Sequence, residues 1–104
     1  MSNTEKLQNI LRDIQATRQQ LMTTSSQIRE FEVTLEALSS HEEGKKVYRQ
    51  IGALLFEVDN KEDMEDQLKT SITTLKEHLT LLENQDEELK KIYEKTVSEI
   101  ENND

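Results

Sequence analysis

From Ile72 onward, apolar residues recur at alternating steps of three and four. The series runs Ile72, Leu75, Leu79, Leu82, Asp86, Leu89, Tyr93, Thr96 and Ile100, with Asp86 and Thr96 as its polar members. A repeat sustained for about four heptads lays one narrow stripe along an α-helix, the seam of a coiled coil. Met64 and Leu68 lead into it, and Asp59 or Asn60 can cap the helix start. Glu62, Asp63, Glu65 and Asp66 follow in the first turns, where the helix dipole favours acids. A helix over about 60–101 therefore needs a partner to cover its stripe.

The N-terminal half supplies one. Leu7, Leu11, Ile14, Leu21, Ile28, Phe31, Leu35 and Leu38 follow the same spacing if Arg18 and Ser25 fill two polar seam positions. In that register Ile28 to Phe31 is a second consecutive step of three, which predicts local overwinding. Ser2-Asn3-Thr4-Glu5 has the form of a capping box at the helix start. The helix is expected over about 2–43, with Gly44 as a left-handed C-terminal residue. Each helix would be about 60 Å long at 1.5 Å per residue. Asn102–Asp104 is expected to fray.

Between the helices lies the densest apolar stretch of the chain, Lys46–Val58, with two of the four aromatic residues. Short runs of β-formers around a single glycine, Gly52, predict two strands and a tight connection. Alternation puts Val47, Arg49 and Ile51 on one face of the first strand, and Leu54, Phe56 and Val58 on one face of the second. Two strands cannot bury such a face, and both hairpin edges carry unpaired backbone groups. The hairpin is therefore expected to join strands from other chains. It also turns the chain back, so the helices pack antiparallel in a mainly α rod with both termini at its far end.

Composition agrees with a seam and disagrees with a broad core. Of 104 residues, 33% are hydrophobic and 34% charged, about what a coiled coil needs and too few apolar groups for a conventional globular interior. The length bounds the chain to one domain. A net charge of −9 disfavours nucleic acid and anionic membrane, which need clustered Lys and Arg. Cysteine is absent, which excludes disulfides and cysteine metal sites and fits a reducing compartment. With no apolar run approaching a membrane span and no apolar N-terminal signal, a cytoplasmic location is expected.

No catalytic constellation is present. His41 and His78 have no second histidine at helical spacing, so zinc chemistry lacks a ligand set. The numerous acids have no concave pocket in a two-helix rod where their protonation could be tuned. Gly44 and Gly52 form no phosphate-cradling loop, and Ser25 and Ser26 lack a neighbouring base. Neither an enzyme nor a bound cofactor or metal is expected. At the rod's far end, Leu7, Ile10, Leu11 and Ile14 meet Leu89, Ile92, Tyr93, Val97 and Ile100. Ile10, Ile92 and Val97 fall beside the expected seam, so this tip holds more apolar surface than one helix covers. Such a surplus suits an interaction site, or a wider seam.

A long helix, then Val-Tyr-Arg-Gln-Ile-Gly-Ala-Leu-Leu-Phe-Glu-Val (Val47–Val58), then a second long helix resembles the β-class subunits of prefoldin. The family pattern is an aromatic residue, a basic one, an apolar residue before glycine and then an apolar strand. Tyr48, Arg49, Ile51, Gly52, Leu54, Leu55 and Phe56 match it, while Ala53 stands where the family often has a bulkier residue or proline. The resemblance implies a cytosolic hexamer of two α-class and four β-class subunits whose hairpins complete intersubunit β-barrels. It also implies an ATP-independent holdase that captures unfolded polypeptides at the coiled-coil tips and delivers them to a group II chaperonin. In eukaryotes the main clients are actin and tubulin.

On that reading Val47, Tyr48, Ile51, Gly52, Leu54, Leu55, Phe56 and Val58 serve assembly. The tip residues Leu7, Ile10, Leu11, Ile14, Leu89, Ile92, Tyr93, Val97 and Ile100 serve client binding. The alternative is a structural coiled-coil adaptor without clients, for which a short polar loop would suffice in place of the hairpin.

Overall fold

The computed structural model describes residues 2–102; of the end expected to fray, Asn102 is the last residue of the second long helix, and Asn103 and Asp104 lie outside the described residues. Helix α1 spans Asn3–Ser39, strands β1 and β2 span Tyr48–Ile51 and Leu54–Glu57, and helix α2 spans Lys61–Asn102. Ser2 caps α1 as its sequence predicts, its Oγ accepting from the Glu5 amide at 3.1 Å. Asn60 rather than Asp59 caps α2, its side-chain oxygen accepting from the Asp63 amide at 3.1 Å. The chain divides into two compact units: a terminal unit of residues 1–26 with 77–104, and a hairpin unit of residues 27–76.

In the terminal unit the two helical segments run antiparallel, with Arg18 Nε 3.1 Å from Asp86 Oδ1. Ile10, Ile14 and Leu82 are buried between them, together with Thr17, Thr24 and Thr96. Leu7, Leu21, Leu79, Leu89, Tyr93, Val97 and Ile100 are half-buried around this line. In the hairpin unit Ile28, Leu38 and Ile72 are buried, flanked by half-buried Phe31, Leu35, Met64, Leu68 and Leu75. Lys76 Nζ reaches Glu32 at 4.0 Å, and Lys61 Nζ donates to the His41 carbonyl at 3.4 Å. These pairings run antiparallel as well.

The α2 stripe lies where the heptads put it, but the α1 register differs from expectation in its first half. Ile10, Thr17 and Thr24 occupy the seam, and Leu11, Arg18 and Ser25 lie one position outside it. Leu7, Ile10, Ile14, Thr17, Leu21, Thr24, Ile28 and Phe31 then alternate four and three throughout, so the expected overwinding at Ile28–Phe31 has no basis. The reason is physical. A threonine can turn its methyl into a seam and return its hydroxyl to its own helix, as Thr96 does with a 2.8 Å bond to the Ile92 carbonyl. An arginine in the same place would bury a charge.

The exit from α1 also differs. The helix ends at Ser39, and Ser40 closes it by donating both its amide (3.1 Å) and its Oγ (2.9 Å) to the Glu36 carbonyl. Gly44 does have positive φ (+86°), but five residues beyond the helix. It sits within a turn closed by the Lys45 amide on the Glu42 carbonyl at 3.4 Å, where the third position requires positive φ. It is no helix cap.

The seam predicts opposite behaviour for adjacent leucines. Leu82 is 3% exposed and Leu81 66% exposed. Leu82→Ala is expected to cost about 2–3 kcal/mol by leaving a cavity between the helices, and Leu81→Ala less than about 0.5 kcal/mol. Urea melts followed by helical circular dichroism check both.

Candidate functional site

The hairpin is built by a two-residue turn. Ile51 pairs with Leu54, Gln50 with Leu55, Arg49 with Phe56 and Tyr48 with Glu57. This register leaves Gly52-Ala53 as the connection, with Gly52 at φ +60°. Glycine first in a two-residue loop is a favoured hairpin turn because its twist matches that of the strands. Nothing lies within 4 Å of where a Gly52 Cβ would stand, so the glycine is required by backbone conformation and not by space. The Val58 amide extends the ladder with a 2.8 Å bond to the Val47 carbonyl, and Lys46 and Glu57 carry an ion pair at 3.8 Å beside it.

The register sorts side chains as alternation predicts. Val47, Ile51, Leu54, Phe56 and Val58 share one face with Arg49, while Tyr48, Gln50, Leu55 and Glu57 share the other. Val47 and Val58, at the base, are half-buried. Every strand residue is exposed: Ile51 55%, Leu54 63%, Leu55 67%, Phe56 49%. Burying such a side chain is worth about 1.5–3 kcal/mol, so the chain leaves a large stabilisation unused. Its own helices approach the hairpin near its base, where Met64 and Gln67 lie by Arg49, Ile51, Phe56 and Val58, and Thr34, Ala37 and Leu38 lie by Val47 and Tyr48. Among the described residues no third strand pairs with either edge. Both edges and the apolar face are therefore open to strands from outside the described residues.

The residues expected at the tip divide. Ile10 and Ile14 are buried in the seam, and Leu7, Leu89, Tyr93, Val97 and Ile100 are half-buried. Only Leu11 and Ile92 stand well exposed, at 47% and 49%. Ile10 is thus a seam residue, not surplus, and the wider-seam reading accounts for Val97. Three exposed apolar residues escaped the sequence reading: Met22, Val33 and Leu81. Their one signal is an apolar residue at a helix position outside the seam, and Met22 and Val33 lie outside it in the expected and in the observed register alike.

His41 is half-buried and pins the connecting loop, its Nε2 donating to the Lys45 carbonyl at 3.1 Å. The cleft beside it, lined by Glu42, Lys46, Glu57, Lys61 and Glu65 among others, is open and mixes both signs of charge. Among the described residues no group of three potential ligands could hold a metal ion, and no helix is long and apolar enough to cross a membrane.

Comparison with known proteins gives one answer. Residues 1–103 match the family described as "Prefoldin subunit". The prefoldin subunit beta of Thermoplasma volcanium is 28% identical over 101 residues, covering 90% of this chain and 82% of that protein. Its counterpart in Thermoplasma acidophilum gives the same values. Among solved structures, the prefoldin beta subunit of Thermococcus strain KS-1 superposes with a TM-score of 0.84 at 23% identity, covering 96% of this chain and 87% of that one. The beta2 subunit of the same strain gives 0.76 at 17% identity, covering 90% and 99%. Two long helices joined by one exposed apolar hairpin, in a sequence matched from residue 1 to residue 103, make this chain a member of the prefoldin subunit family, whose members are chaperone components.

Proposed function

We propose that this chain is a β-class subunit of a cytoplasmic, hexameric, ATP-independent holdase, and that residues 1–104 act as one domain of that assembly. The observation that carries the reading is the hairpin, whose Ile51, Leu54, Leu55 and Phe56 stay exposed while the helices put their apolar residues into a seam. In the assembly, Val47, Tyr48, Ile51, Leu54, Leu55, Phe56 and Val58 meet strands of α-class and other β-class subunits and complete β-barrels, with Gly52 shaping the turn. The chain performs no catalysis and uses no cofactor.

The client surface lies at the terminal end. Leu11 and Ile92 offer exposed apolar contacts there, and the half-buried Leu7, Leu89, Tyr93, Val97 and Ile100 contribute edges. Ile10 and Ile14 hold the two helices together beneath them. An unfolded polypeptide presents apolar groups in no fixed arrangement, so few contacts per subunit and several subunits per complex suit it better than one shaped pocket. Linked weak contacts gain affinity through effective concentration. The clients are unfolded polypeptides, actin and tubulin among them in a eukaryote, passed on to a group II chaperonin. The acidic surface keeps an assembly with sticky ends soluble.

Two experiments test this. Ile51→Asp or Phe56→Asp, mixed with partner subunits, is expected to abolish the hexamer on a sizing column while helical circular dichroism stays nearly unchanged. An unchanged mass would remove the hairpin from assembly. Leu11→Ser combined with Ile92→Ser is expected to leave the hexamer intact and to weaken capture of a denatured client about tenfold. That figure corresponds to a loss of about 1.4 kcal/mol from two half-exposed side chains. Aggregation assays without ATP read the effect, and full suppression by the double variant would move the client surface elsewhere. A hexamer that suppresses no aggregation at all would make the chain a structural adaptor.

A further inference from the structure

Asp86 is a carboxylate in a seam. It stands between Leu82 and Leu89 in the α2 heptads, its side chain only 21% exposed, and Arg18 Nε donates to its Oδ1 at 3.1 Å. Arg18 itself sits just outside the seam, next to the buried Thr17, with its side chain 57% exposed. The pair therefore spans the two helices at their rim, reached by water on the arginine side. Leu11, seven residues before Arg18, and Met22, four after it, stand exposed on the flank of α1 that carries Arg18. Two such residues beside the pair invite a second coil to pack alongside.

We propose that the Arg18–Asp86 pair is a specificity device, which opposes side-by-side association of the terminal unit with the same unit of another chain. In the two-helix coil the pair keeps part of its hydration. A second coil packed over Leu11 and Met22 would remove that water from both charges, at a desolvation cost that a single ion pair does not recover. An apolar residue at position 86 would carry no such penalty. A polar residue at one seam position is the recognised means of fixing partner number at some expense in stability. The signature of such a device is that removing the charge stabilises the coil while loosening its choice of partner.

The test uses the full chain, which has no cysteine and so accepts one nitroxide at the exposed Gln8 as Gln8→Cys. Every sample also carries Ile51→Asp, so that association through the hairpin does not enter the reading. Dipolar spectra of this chain with its seam unaltered are expected to show no inter-chain distance at this label. Asp86→Leu is expected to raise Tm and to bring in an inter-chain distance that grows with protein concentration. The reversed pair, Arg18→Asp with Asp86→Arg, is expected to restore the single-coil spectrum. The proposal is overturned by any of four results: an inter-chain distance in the unaltered seam, none in Asp86→Leu, a Tm for Asp86→Leu below that of the unaltered chain, or a reversed pair that associates as Asp86→Leu does.

Discussion

A helix can cover only the strip of its neighbour that faces it. That limit governs this chain, in which each compact unit is held by one line of side chains between two antiparallel helical segments. The line is narrow enough for a third of the residues to suffice, and strict enough that adjacent residues such as Leu81 and Leu82 differ from exposed to buried. It also leaves nothing with which to cover a hairpin. The strands Tyr48–Ile51 and Leu54–Glu57 are apolar on one face, open at both edges among the described residues, and stay exposed although Met64 of α2 and Leu38 of α1 approach them.

The seam is not uniform in chemistry. In the hairpin unit its buried members are Ile28, Leu38 and Ile72, whereas the terminal unit interleaves Ile10, Ile14 and Leu82 with three threonines and the Arg18–Asp86 pair. Among the described residues no buried side-chain nitrogen or oxygen lacks a hydrogen-bond partner, so these polar layers are satisfied ones.

Much of this was legible in the sequence, for reasons that differ by element. The α2 stripe is read correctly because most of its positions hold leucine or isoleucine, and strand register follows from alternation around one glycine. The early α1 seam is misread because taking Leu11 as its second member sets a register one residue late, in which Arg18 and Ser25 fall where Thr17 and Thr24 are buried. Burial, however, is decided by which side of the helix faces the partner, and an unbroken three-four repeat through Ile10, Thr17 and Thr24 identifies that side better than the apolar letters do. Gly44 is misplaced for a related reason. Positive φ is foreseeable from the residue type, but the turn that uses it depends on where Ser40 closes the helix, and that is set by hydrogen bonds to Glu36. The hairpin's exposure was foreseeable, since no stretch of this chain had apolar residues to spare for it.

The two-residue turn at Gly52-Ala53 sets the order in which the chain can assemble itself. Pairings beside the hairpin join residues close in sequence, as Lys61 and His41 are, 20 apart. The Arg18–Asp86 pair joins residues 68 apart. Loop-closure entropy makes the longer closure dearer by about 1 kcal/mol, before any further residues are ordered. Contacts near the turn therefore form with the least entropic cost, and each one formed shortens the loop that the next must close. On loop entropy alone, closure is least costly when it runs from the turn towards the termini, and opening when it begins at the termini. The residues last to close and first to open are those around Leu11 and Ile92.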